Sequence, residues 1–351
     1  MRLTQLRDLL TCRRRAGLAL LFLCLAFPAL ADDAPPSGPA PPICAGRDLS
    51  RDVALHPEDL ARADAQRRDE LSNGEGLLWR IEKPGVPPSY LFGTIHSTDD
   101  RAVAVAKNAA THIAGAKVVA TELGGPFDKF ALAEMGGTMM GKALARDDNT
   151  LAGVGAPEDV AMVEKFLAGR GLDGAFTHHV RLWFLAIATA EPLCEMKRQQ
   201  LELPVVDEVI ARTARDLGIK VVGLETIDEQ IDLMASLDPA LTAMILISAA
   251  RRPDLIDDVY ATMISLYVAQ KPAEILPVID ASHILTPEES RAQEDFANRL
   301  LGARNKIMAE RLKPLLEPGG AFVAVGALHL VGKGGLIALL RAQGFEVTNF
   351  R

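Results

Sequence analysis

The stretch PSYLFGTIHS, Pro88 to Ser97, decides how the rest of the chain reads. Pro88 closes the preceding turn, Tyr90, Leu91 and Phe92 are strand formers, and Gly93 is followed three residues later by a histidine, in a chain that has seven. Glycine at that point allows a tight exit from a strand, and the two residues after it aim the imidazole back over the sheet edge. DDRAVAVAKNAATHIAGA, Asp99 to Ala116, then places apolar residues at helical spacing, and AKVVATELG, Ala116 to Gly124, is a second short apolar run ending in Glu122. The unit is strand, helix, strand, and a crossover of that length makes the strands parallel.

Two other segments repeat this design. PVVDEVIARTARDLGIKVVGLET, Pro204 to Thr226, is a helix closed by Gly218 and a strand from Ile219 to Leu224 that ends at Glu225. GGAFVAVGALHLVGKGGLIALLRAQGFEVTNF, Gly319 to Phe350, is a strand, a second GxxH with Gly326 and His329, a helix closed by Gly344, and a last strand. GLLWRIE, Gly76 to Glu82, adds one more strand before the first GxxH. The remainder reads as helix: residues 126–200, with runs such as EDVAMVEKFLAG, and residues 227–316, punctuated by Pro239, Pro253, Pro272 and Pro287 and ending in a long helix from Pro287 to Leu316. Asp48 to Ser72 reads as one or two short helices. The fold class is therefore α/β, a parallel or mixed central sheet of strand–GxxH–helix–strand units carrying large all-helical insertions.

The N-terminus needs separate treatment. Arg13, Arg14 and Arg15 precede an apolar run from Ala16 to Pro28, and Ala29-Leu30-Ala31 is a small-residue cleavage site, so residues 1–31 read as a secretory signal. The run is short for a bilayer span, which takes ~20 apolar residues. Residues 32–43 are a Pro-rich linker and residues 44–351 one domain. Without the signal the chain holds 33 basic and 45 acidic groups, a balance of −12 that argues against nucleic acid and anionic membrane surfaces. Cys12 and Cys24 leave with the signal, and Cys44 with Cys194 then reads as one disulfide in an oxidising compartment, the periplasm after crossing the inner membrane, or else as two separate thiols.

In a parallel sheet ligands bind beyond the carboxyl ends of the strands, and His96, Glu122, Glu225 and His329 all sit at such ends. Two imidazoles and one or two carboxylates are a donor set for a divalent metal such as Zn, Mn or Co, with a further carboxylate available as general base. A lone histidine after a strand is more often structural; the matched pair strengthens the metal reading. Asp207 is either an acid at the site's edge or a helix N-terminal residue. His178 and His179 are adjacent on the chain and do not face one ligand, while His56, His112 and His283 read as structural. GKGGL, Gly332 to Leu336, lacks the Ser or Thr of a phosphate loop and reads as local flexibility beside His329. Neither HExxH nor GxSxG occurs.

YLFGTIHS, VVATELGG, KVVGLET, ARNKIM and the run from VAVGALHL onward, in this order, resemble the TraB/PrgY/GumN family, which is similar to the Tiki metalloproteases. The resemblance implies an active-site core of His96, His329 and Glu122, with Glu225 in support. It also implies that Arg304 and Asn305, which by themselves read as a surface ion pair and a surface amide, orient substrate or stabilise an oxyanion. The expected function is a metal-dependent hydrolase acting on peptides or small molecules. Two other classes stay open: a metal-independent His/Glu hydrolase like the erythromycin esterases, and a protein that binds a peptide, metal or haem without turning it over.

Overall fold

The computed structural model describes residues 40–53, 58, 71–125, 129–144, 150–172, 174–282 and 285–350. The segment read as a signal, most of the segment read as a linker, most of the segment read as helical before Ser72, and His56 and His283 lie outside the described residues.

Six strands form one mixed sheet: β1 (Leu78–Glu82), β2 (Ser89–Thr94), β3 (Val118–Thr121), β4 (Lys220–Gly223), β5 (Ala321–Gly326) and β6 (Glu346–Asn349), in the order β4-β3-β5-β2-β1-β6. Strands β4, β3, β5 and β2 run parallel, and β1 is antiparallel to both β2 and β6. The crossover from β2 to β3 does make them parallel, but they are not neighbours. Strand β5, contributed from near the other end of the chain, lies between them and pairs Gly93 with Val325 on one side and Thr121 with Ala324 on the other. That insertion brings three strand ends, and hence His96, Glu122 and His329, to one stretch of sheet edge.

Both faces of the parallel part are covered, so its strands are apolar in succession. Leu91, Ala120, Val323 and Val325 point to one side, where Met308, Leu312 and Leu316 of the Pro287–Leu316 helix and Leu336, Ile337 and Leu340 of the Leu336–Ala342 helix meet them. Phe92, Val119, Phe322 and Ala324 point to the other, against the helices Asp100–Ala110, Val206–Asp216 and Asp254–Val268. Phe322 is fully enclosed, and truncating it to alanine would cost about 3–5 kcal/mol through lost transfer energy and a cavity.

Local sequence chemistry sets the helix ends. Asp99 caps Asp100–Ala110 by accepting from Arg101 N. Thr226 with Glu229 and Thr286 with Glu289 are reciprocal capping boxes at the starts of Ile227–Ala235 and Pro287–Leu316. Gly218, with φ +70°, and Gly344, with φ +91°, end their helices in the left-handed region, as the sequence requires. The two helical insertions are not separate bodies: Met139, Val163, Leu167 and Trp183 from the first share one core with Ile231, Ala243 and Leu246 from the second.

Cys44 and Cys194 are disulfide-bonded, with Cα atoms 5.3 Å apart, which staples the N-terminal tail to the Leu193–Gln200 helix. Among the described residues no single helix is long and apolar enough to cross a membrane.

Candidate functional site

Glu122 and Glu225 follow two adjacent parallel strands, and the ladder continues past them: Leu224 N donates to Thr121 O at 2.9 Å and Glu225 N to Glu122 O at 2.7 Å. Their side chains therefore leave the sheet side by side, both buried. Like charges this close need a cation, and Arg304 of the long helix supplies it. Its Nη2 is 2.7 Å from Glu122 Oε2 and 2.7 Å from Glu225 Oε2, and Nε reaches Glu225 Oε1 at 2.9 Å. A planar guanidinium serves two carboxylates in a way an ammonium does not. Gln230 Nε2 adds a bond to Glu225 Oε2 at 3.1 Å and a longer one to Glu122 Oε2 at 3.4 Å.

The second oxygen of Glu122, Oε1, accepts the Gly326 N–H at 2.8 Å. Here the role read for the GxxH glycines changes. Neither Gly93 nor Gly326 has a positive φ, and Gly93 lies inside β2 rather than in a turn. What each position needs is space. A Cβ on Gly326 would stand 3.3 Å from Glu122 Oε1 and 3.4 Å from the His329 ring, and one on Gly93 would press on Ala327 at 3.0 Å.

His329 is buried, and its Nδ1 lies 2.5 Å from Asn305 Oδ1. Asn305 Nδ2 donates to Gly334 O at 2.9 Å, which fixes the direction of the amide and makes His329 Nδ1 the proton donor. Burial drives the imidazole's pKa down from 6.5 to about 4 in spite of the nearby Glu122 charge. The ring is thus neutral at pH 7, with the lone pair on Nε2. Burial opposes ionisation of Glu122, but the His329 ring, the Arg304 guanidinium, the His96 ring and the Gly326 N–H outweigh it and hold the carboxyl at about 2. Of these, Arg304 and the Gly326 N–H act on Glu122 whatever the protonation of an imidazole.

His329 Nε2 and Glu122 Oε1 consequently face each other across 3.6 Å with a lone pair on each. Ligands at ~2.0–2.2 Å around one tetrahedral zinc stand about 3.3–3.6 Å apart, so this pair fits one edge of such a site. Among the described residues no three of His, Cys, Asp and Glu are gathered tightly enough to close a metal cage.

His96 contributes from the turn two residues after β2. Its Nδ1 is 2.9 Å from Asp207 Oδ2, and Asp207 Oδ1 accepts from the Thr94 hydroxyl at 2.6 Å. Asp207 is in the first turn of the Val206–Asp216 helix, but the N-cap is Val205 and Asp207 makes no capping bond. Its partners are His96 and Thr94. His96, Glu122 and Asp207 line one small cleft of about 50 Å³ together with Thr121, Gly124 and Arg215.

His329 thus has Nδ1 held by an oxygen acceptor, the arrangement that orients metal-binding imidazoles through Nε2, whereas Asp207 Oδ2 lies beside His96 Nδ1 without accepting a hydrogen bond from it. Glu225 is different: both its oxygens are taken by Arg304. Arg304 and Asn305 are brought to the site, where Arg304 donates to Glu122, Glu225 and the Leu300 carbonyl and Asn305 pairs with His329 and Gly334. His178 pairs with half-buried Glu164 at 2.8 Å, and His112 packs against Tyr90 and Phe350. In the GKGGL turn Gly332 has φ +84°, and Gly334 offers its carbonyl to Asn305.

Gln230 was not legible as a site residue. The available signal was a polar side chain on the buried stripe Ile227, Gln230, Ile231 and Met234 of an amphipathic helix.

Comparison with known proteins supplies the context. Metalloprotease TIKI1 of Xenopus tropicalis is 24% identical over 336 residues, and Metalloprotease TIKI1 of Homo sapiens 24% identical over 334. Each alignment covers 82% of this chain and 64% of the relative, so the chain spans under two thirds of their length. The TraB/PrgY/gumN family profile matches residues 77–349, a span that holds all six strands, both GxxH motifs, Glu122, Glu225, Arg304 and Asn305. The chain belongs to the TraB/PrgY/gumN family.

Proposed function

We propose that this chain is an exported, metal-dependent hydrolase with peptides as its first substrate class. The observation that carries the reading is the pair of lone-pair atoms, His329 Nε2 and Glu122 Oε1, facing each other beside the cleft that His96 lines. His96, His329 and Glu122 would hold the ion, with Zn, Mn or Co matching nitrogen and carboxylate donors. A divalent ion bound there would polarise a substrate carbonyl and acidify a water. The chain's own residues prepare the place. Asn305 presents the His329 ring through Nε2, Asp207 stands beside Nδ1 of His96, Arg304 and the Gly326 N–H keep the Glu122 carboxylate fixed and ionised, and Gly326 leaves room between Glu122 and His329. The relatives' name, metalloprotease, supports the peptide assignment. The N-terminal pattern and the disulfide support export.

The test is metal analysis of purified protein, followed by peptide-library cleavage with Zn, Mn or Co. Wild type is expected to bind one ion and cleave, and Glu122→Gln and His329→Ala to do neither. Undiminished cleavage by both variants, or no cleavage by wild type with any of the ions, would overturn the proposal.

The His96–Asp207 contact supports a second reading, in which His96 acts as general base without a metal. Hydrolysis that persists in chelator and is abolished by His96→Ala would select it.

A further inference from the structure

Two residues beyond His96 the chain is gripped from behind. Thr98 donates its N–H to Glu195 Oε1 at 2.7 Å and its hydroxyl to Glu195 Oε2 at 3.0 Å. The same carboxylate accepts from the Tyr260 hydroxyl at 2.6 Å, and the Tyr260 oxygen also pairs with the Ser97 hydroxyl at 2.7 Å. Arg198 donates Nε to the Thr98 hydroxyl at 2.9 Å and Nη2 to the Thr98 carbonyl at 2.8 Å. Glu195 is 0% exposed and Arg198 8%. Buried charge is costly unless it is fully hydrogen-bonded, and here the N–H, carbonyl and hydroxyl of Thr98, with the Ser97 hydroxyl acting through Tyr260, take part in the compensation.

Both residues lie on the Leu193–Gln200 helix, which has few other means of staying in place. It is eight residues long, its N-cap Pro192 offers no side-chain capping bond, and of its buried residues only Met196 is apolar. A helix that short is marginal without tertiary support. The support comes from its second residue, Cys194, bonded to Cys44, and from Arg198 Nη1, which reaches the Pro42 carbonyl at 3.4 Å.

We propose that Glu195 and Arg198 are positioning residues for His96, and that the Cys44–Cys194 disulfide keeps their helix in register, so that the site is fully assembled only in the oxidised chain. The inference rests on the reading that places His96 in the reacting site. Asp207 stands beside the ring at Nδ1, and the grip on Thr98 fixes the backbone two residues beyond it. Since a misplacement of ~1 Å can cost about a hundredfold in rate, loosening this helix would matter without any change at the ring itself.

The experiment needs no substrate. Hydrogen exchange of the Thr98 amide and the His96 ring signals are followed by NMR in wild type, in Cys44→Ser/Cys194→Ser and in Glu195→Gln. Thr98 exchange should rise about tenfold or more in both variants and the His96 signals should move, while the β5 amides Val323 and Val325 and the remote His178 ring stay as in wild type. Thr98 exchange unchanged in the variants would overturn the proposal, and so would a rise matched by Val323 and Val325, which would report general loss of stability. Wild type that cleaves no peptide would count against the proposed function and leave this result standing. Where wild type cleaves, kcat should fall roughly ten- to a hundredfold in the double-serine variant with KM little changed.

Discussion

Arg304 and Glu122 stand 182 positions apart in sequence, and Nη2 of one meets Oε2 of the other at 2.7 Å in a largely buried junction. Glu225 shares the same guanidinium, so one cation answers for two enclosed anions. Arg304→Ala should therefore destabilise the protein by about 3–5 kcal/mol, the cost of leaving buried charge uncompensated. Arg304→Lys should recover only part of it, because a point charge cannot match both carboxylates. Urea denaturation of the three proteins decides the matter, and a loss below about 1 kcal/mol for the alanine variant would contradict the account.

Stability of the metal-free protein should fall with acid in two overlapping stages. Both groups have folded pKa values below their ordinary ones, so the unfolded chain binds protons more readily and stability declines as pH falls. His329 acts between 6.5 and about 4, and Glu122 between 4.5 and about 2. The combined loss is on the order of a few kcal/mol. Urea midpoints at several pH values would show it, with the upper stage absent in His329→Leu; a flat profile from pH 7 to 4 would disagree.

Metal addition should raise the unfolding midpoint. An ion at about a hundred times its Kd stabilises by about 2.7 kcal/mol if it binds the folded state alone. Asn305→Ala and Asp207→Asn should each weaken affinity roughly ten- to a hundredfold, by releasing a ring that must present Nε2. Titration calorimetry gives the affinities directly, and unaltered binding in both variants would show that the groups beside Nδ1 do not prepare the rings.

Gln230→Leu offers a narrower probe. It removes the amide between the two glutamates while Arg304 still serves both, so stability should drop by about 1–3 kcal/mol, less than for Arg304→Ala. The comparison of the two unfolding curves is the check, and an equal loss would mean that the amide, not the guanidinium, organises the junction.

Much of this architecture was legible in advance, and the reasons are local. Gly218 and Gly344 mark helix ends because few other residues take a positive φ, and Thr286-Pro287 with Glu289 announces the long helix at its first turn. Strand β3 has no internal ambiguity: Val118 to Thr121 is a short apolar run closed by a turn. The order of the sheet was not legible, because β5 enters between β2 and β3 by pairing across most of the chain, and no local pattern records that. The same limit applies to the site. His96, His329 and Glu122 announce themselves by their places after strands, whereas Arg304 and Asn305 look like ordinary residues of a helix surface and were singled out only through the family resemblance. Glu195 and Arg198 escaped notice because their shared partner Thr98 lies about a hundred positions away, and Gln230 because a polar side chain on a helix start reads as a surface residue until the fold buries it against Glu225 and Glu122.

The central place of β5 also bears on how the protein comes to exist. A ribosome delivers β2 and β3 long before the strand that must lie between them, so the two cannot close the sheet while most of the chain is being made. Contacts of such long sequence separation form slowly, and the half-built sheet leaves apolar strand edges open in the meantime. Since His329 arrives in the turn just after that same late strand, a chain that stops before it lacks half of the histidine pair. Completion of the fold and completion of the reactive centre are thus one event, which waits on the synthesis of β5 and the turn after it.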